Sequence, residues 1–225
     1  MLKLYHYWSS VCSQKVRLAL AEKNLEFASQ HINLFDFEHW SPDYVKLNPK
    51  GVVPTLEDDG RIVIESNVIL EYLEDRFPAV RLRPQDPYEQ AMTRIWIYNS
   101  EEIAHHNVNT ASHNPRHAVR HKAKHHTREE MQAIAARCPN PIIARRFLQR
   151  IEHGVSEDEE NQAYAALDYL LEMMEGALED AGELARHVVG NAVARFRPIE
   201  GDTQDGAVLL YEDFVAHECS LLKAA

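Results

Sequence analysis

No stretch of this chain approaches the ~20 consecutive apolar residues that span a bilayer, and its start, Met1-Leu2-Lys3-Leu4-Tyr5-His6-Tyr7-Trp8, lacks the apolar core of an export signal. Cysteine is scarce: Cys12, Cys138 and Cys219 are odd in number and widely spaced. That excludes a disulfide framework and points to a reducing, cytoplasmic setting. Basic charge is in deficit, with 24 Lys and Arg against 35 Asp and Glu for a formal net charge of −11. Such a surface does not suit nucleic acid or anionic lipid. No internal repeat or low-complexity tract occurs, and strand signals all but vanish from Tyr88 onward. A soluble protein with neither nucleic acid nor membrane as partner is expected.

What remains is an ordinary globular composition, 45% hydrophobic and 26% charged, in 225 residues, enough for one or two domains with a sizeable core. Residues 2–8 alternate as a strand, and Ser13 to Glu22 places Val16, Ala19 and Leu20 at helical spacing. Phe27 to Leu34 reads as a second strand and Phe37 to Leu47 as a poorer helix. Two short strands follow across an Asp58-Asp59-Gly60 turn, then a helix from Ser66 to Arg76. The order βαβαββα places a parallel crossover before an antiparallel hairpin, which is the order of an α/β, thioredoxin-like domain. The expected boundaries are 1–78 for this domain, 79–86 for a proline-bearing linker, and 87–225 for an all-helical domain. Helical patterns run from Pro87 to Asn107, Thr127 to Ile151 with Pro139-Asn140-Pro141 breaking it, and Ser156 to Leu178, the last opening on a capping-box match, Ser156-Glu157-Asp158-Glu159.

Two binding edges are legible in the first domain. In Asn48-Pro49-Lys50-Gly51-Val52-Val53-Pro54-Thr55-Leu56 a proline opens a strand; it cannot donate to the ladder, and its Val53-Pro54 bond is one of the few able to be cis. A cis bond turns the backbone of Val53 toward an extended ligand. At Glu65-Ser66 a helix begins, where Ser66 as N-cap and the free amides behind it can hold a carboxylate and Glu65 can accept from an α-ammonium. This arrangement, with Asn67-Val68-Ile69-Leu70-Glu71-Tyr72-Leu73 after it, resembles the glutathione transferase superfamily. The resemblance implies glutathione as co-substrate, held by Val53, Pro54, Glu65 and Ser66, and a homodimer. Lys50 is placed to reach the glycyl carboxylate or to remain a solvated turn lysine.

Glutathione transfer needs the thiol as thiolate, and a donor at a helix N-terminus aimed at the sulfur favours that form. Ser9-Ser10-Val11-Cys12-Ser13-Gln14-Lys15-Val16-Arg17 occupies that place. Registered on Lys15-Val16, Ser10 is similar to the activating serine of tau- and zeta-type members, Cys12-Ser13 to the Cys-Ser of beta-type members, and Tyr7 to the tyrosine of alpha, mu and pi types. Ser10, Cys12, Ser13 and Tyr7 all stay open. The runner-up to a transferase is a glutathione-binding redox protein that uses Cys12 in thiol exchange, or a non-catalytic interaction module.

The electrophile is expected against the first long helix of the second domain, among Tyr88, Trp96, Tyr98, Asn99, Glu102, His105, His106 and Asn109. Interleaved aromatic and polar residues suit a hydrophobic, aromatic, oxygenated substrate. Glu129-Glu130-Met131 through Arg145-Arg146-Phe147-Leu148 and Gly154-Val155-Ser156 are similar to bacterial members grouped around the lignin β-aryl-etherases, which implies an aryl ether beside a ketone. Between His105 and His126 lie seven histidines, with His113, His117, His121 and His125 four apart. Pro115, the absence of a nearby cysteine, and Arg116, Arg120, Lys122 and Lys124 argue against a cation there, so no metal is expected. After Asp180 the family's Trp-Leu-Ala-Gly-like turn and Ser/Thr-x-x-Asp cap are missing, and an atypical tail from about 181 has Val208-Leu209-Leu210-Tyr211 and Phe214-Val215 as its apolar content.

Overall fold

The computed structural model describes residues 1–112 and 126–179. The four-histidine run and the atypical tail therefore lie outside the described residues. The chain divides into a unit of residues 1–167, which holds the sheet and every side chain of the candidate site, and a second unit from Asp168.

Strand β1 (Leu2–His6) leads through α1 (Val11–Glu22) to β2 (Phe27–His31), and a 3₁₀ turn (Glu38–Trp40) precedes α2 (Pro42–Leu47). The hairpin β3 (Thr55–Asp58) and β4 (Arg61–Ile64) and helix α3 (Ser66–Arg76) complete the βαβαββα order. The sheet order is β2-β1-β3-β4, with β1 parallel to β2 and antiparallel to β3, and β3 antiparallel to β4. The thioredoxin-like α/β domain is thus present. The poorer helix expected over Phe37–Leu47 is split because Phe37 sits in the left-handed region at φ 58 and Ser41 is extended before capping α2.

The core explains why these segments take these forms. Helix α1 presents Ser13, Val16, Ala19 and Leu20 on one buried face, and α3 presents Ser66, Ile69 and Leu73 on another. Both faces close on Leu2, Leu4 and Leu56 of the sheet, each large side chain contributing about 1.5–3 kcal/mol by burial. Lys23, only 4% exposed, ends α1 by pairing with Glu74 and donating to the carbonyls of Phe77 and Val80 at 3.2 and 2.6 Å. The segment after α3 is tied down there.

Helices follow: α4 (Pro87–Asn99), a π-helical turn (Ser100–His105), α5 (His106–Ser112), α6 (Arg128–Ala135), α7 (Pro141–His153) and α8 (Glu157–Glu179). Asp86 caps α4 through the amides of Tyr88 and Glu89 at 2.9 and 3.0 Å. Thr127 and Glu130 form a capping box on α6, and Ser156 with Glu159 forms the one expected on α8. No described helix is long and apolar enough to cross a membrane.

Candidate active site

The register places the expected binding features at one end of the sheet. Tyr5, near the end of β1, faces Thr55 at the start of β3, which faces Ile64 at the end of β4. The start of α1, the Val53–Pro54 step before β3 and the Glu65–Ser66 step after β4 therefore share that end. Lys15 of α1 donates to Asn67 Oδ1 of α3, joining the two helix starts directly.

The Val53–Pro54 bond is cis. Among the described residues no backbone hydrogen bond uses the N–H or carbonyl of Val53. Its loop is held by a buried polar network instead. Asn48, fully buried, donates to Val52 O at 2.8 Å and Thr55 Oγ1 at 3.0 Å, and accepts from Lys50 N at 3.0 Å. Tyr44 donates to the same Val52 carbonyl at 2.8 Å and meets Thr55 Oγ1 at 2.9 Å, and burial pushes its phenol up to about 12. Gly51 has φ +61, and a Cβ there would lie 2.9 Å from Trp40 and 3.0 Å from Pro139; glycine is required by backbone and by space.

Ser66 is not the N-cap. Glu65 takes that position at φ 68, ψ 112 without a side-chain cap bond, and Ser66 is the first helical residue, nearly buried. The left-handed turn at Glu65 shifts the helix start by one residue and leaves the first amides of α3 without a side-chain cap. Glu65 pairs with Lys50 at 2.8 Å, so the two charges expected to meet opposite ends of a ligand meet each other.

At the start of α1 the candidates separate. Ser10 is the N-cap, its Oγ accepting from Ser13 N at 3.4 Å. Ser13 is fully buried and its Oγ accepts from Tyr7 N at 3.4 Å. Tyr7 packs among Trp8, His31 and Phe35, and burial raises its phenol above the ordinary value. Cys12, in the first turn of α1 and half-buried, meets Glu101 and His105: one ligand atom from each of the three lies within 4.8 Å of the others. His105 Nδ1 is 3.0 Å from Glu101 Oε1, and Lys15 Nζ is 3.9 Å from Glu101 Oε2. Hydrogen bonding with Cys12, helped by the charges of Cys12 and Glu101 and opposed by burial, raises His105 to about 9.

Of the residues expected on the first long helix, His105 is thus brought to α1, while Tyr88 and Tyr98 are largely exposed and Trp96 is half-buried. Glu101 is an addition that sequence reasoning misses; the Glu-x-x-x-His spacing is its only trace there.

A sheet of this order, with a proline step before β3 between the helix starts that follow β1 and β4, defines a thioredoxin-like domain. The family model "Glutathione S-transferase, N-terminal domain" matches residues 9–76. The crystal structure of β-etherase LigF from Sphingobium sp. strain SYK-6 superimposes with a TM-score of 0.76 at 30% identity, over 91% of this chain and 87% of that one. The chain belongs to the glutathione S-transferase family. In sequence it is 45% identical over 96 residues to maleylacetoacetate isomerase of Pseudomonas aeruginosa, 41% of this chain and 45% of that protein. To Protein LigF of the same Sphingobium strain it is 45% identical over 97 residues, 42% of this chain and 38% of that protein. The matched sequence thus spans less than half the length of these curated relatives.

Proposed function

We propose that the protein is a glutathione transferase that binds glutathione along Val53 and at Glu65–Ser66 and promotes attack of its thiolate on a hydrophobic, aromatic ether or ketone electrophile. The observation that carries this is the Val53 backbone, whose N–H and carbonyl meet no other backbone group among the described residues, at the same end of the sheet as the α3 and α1 starts. An extended peptide pairs with the first, its glutamyl carboxylate takes the α3 amides and the Ser66 hydroxyl, and its thiol meets the α1 N-terminus with Ser10 as donor. Lys50 and Glu65 exchange their mutual ion pair for the ligand's carboxylate and ammonium. The likeness to LigF, named a β-etherase, favours an aryl ether carbon beside a ketone.

Calorimetry with glutathione tests the binding arm. Ser66→Ala should weaken it by roughly 1.5–3 kcal/mol, the worth of a hydrogen bond to a charged group, and an unchanged dissociation constant would remove Ser66 from the site. Turnover of an α-aryloxy ketone with release of the phenol tests the electrophile.

A second reading, thiol–disulfide exchange at Cys12, draws on the half-buried thiol in the first turn of α1 beside His105 and Glu101. A glutathione adduct on Cys12 by mass spectrometry, with no turnover of carbon electrophiles, would favour it.

A further inference from the structure

We propose that Cys12, Glu101 and His105 form a binding site for a divalent transition metal of the zinc kind, whether or not glutathione is the co-substrate. A thiolate, an imidazole and a carboxylate are the donor set of zinc and its borderline neighbours, while the hard cations magnesium and calcium take oxygen alone. Tetrahedral bonds of about 2.0–2.3 Å require donors about 3.3–3.8 Å apart. The three donor atoms already lie within 4.8 Å of one another, and Glu101 and His105 stand at 3.0 Å. Closing on an ion needs side-chain shifts on the order of an ångström in two half-exposed residues; no backbone segment has to move.

The backbone supports the same reading. Glu101 and His105 stand four apart on the π-helical turn, a form that recurs at functional sites, and residues four apart share one face of a helix. The turn is fixed on both sides by Ser100 Oγ donating to Ile97 O and Asn107 Nδ2 donating to Ile103 O, each at 2.7 Å. Lys15 Nζ lies 3.9 Å from Glu101 Oε2 while Oε1 meets His105, so the ammonium is an outer partner of the carboxylate. Thiolate and carboxylate together neutralise a dication. Three protein donors leave a fourth position for water or an exogenous thiolate, the pattern of a reactive zinc site.

The test is a cobalt(II) titration of the full-length chain, stripped by chelator, kept reduced and free of glutathione, following sulfur-to-cobalt charge-transfer absorption. The expected result is a saturable band that zinc(II) bleaches. Cys12→Ser should abolish it, while His105→Gln and Glu101→Gln should weaken cobalt binding roughly tenfold or more. Cys138→Ser and Cys219→Ser should leave it intact, and far-ultraviolet circular dichroism checks that each variant is folded. Absence of the band at saturating cobalt overturns the proposal, as does its persistence in Cys12→Ser or undiminished affinity in both Glu101→Gln and His105→Gln.

Discussion

At the scale of single residues, two hydroxyls three positions apart are given unlike work by their surroundings. Ser13 is buried with its Oγ on Tyr7 N, whereas Ser10 is half-exposed at the mouth of α1, its Oγ held among the described residues by a long bond from Ser13 N. Ser10→Ala should cost about 1 kcal/mol of stability as a lost cap. If the hydroxyl also serves the thiol, conjugation at neutral pH falls and the pKa of bound glutathione rises, which a pH–rate profile reads; an unshifted profile leaves Ser10 a cap alone. His6 makes a separate prediction. It is buried, bonded to Ser29 at 2.7 Å, and burial, then the charges of Arg17 and His31, lower it to about 4. Its folded pKa lies below the unfolded value of about 6.5, so the unfolded chain binds the proton first. Stability should fall as pH drops from about 6.5 to 4, by at most about 3 kcal/mol from this group. Urea midpoints at pH 7 and 5 check it, and His6→Gln should flatten the difference.

At the scale of elements, the loop 48–54 is a polar core in miniature. Asn48→Ala would take one of two buried partners from Val52 O and from Thr55 Oγ1, Tyr44 keeping the other, and should cost roughly 1–3 kcal/mol, measured by denaturant melting, with weaker glutathione binding because Val53 loses part of its frame. Much of this architecture is legible in the sequence. The strand order follows from alternation and turn residues, and the cis step follows from a proline heading a strand. Ser66 is displaced by one position from the expected cap, because a glutamate at positive φ is a conformation that local preference disfavours and tertiary context imposes. The meeting of Cys12 with Glu101 and His105 is not legible at all. Periodicity sees neighbours along the chain, and the π turn that aims those two side chains carries no marker in residue type.

At the scale of the molecule, an aromatic seam links the segment after β2 to the later helices. Phe37 and Trp40 pack edge-on against Phe147 of α7, with Met131 and Ile134 of α6 beside them, and Gly51 makes room for Trp40 and Pro139. Trp40→Ala should cost about 3–5 kcal/mol, and calorimetric unfolding should broaden or split as the sheet and the helices lose their common core. A single sharp transition at the parent temperature would show the seam to be dispensable. The π turn carries a consequence for chain length itself. Such a turn holds one more residue than an α-helix fitted to the same path, so deleting Ala104 should restore regular winding while His105 and the helix after it stay close to their places. The turn is thus a store of chain length rather than of side-chain chemistry: one residue can be lost inside it, and far-ultraviolet circular dichroism of the deletion should show the helical signal kept, while α4 and every residue of the sheet stay as they are.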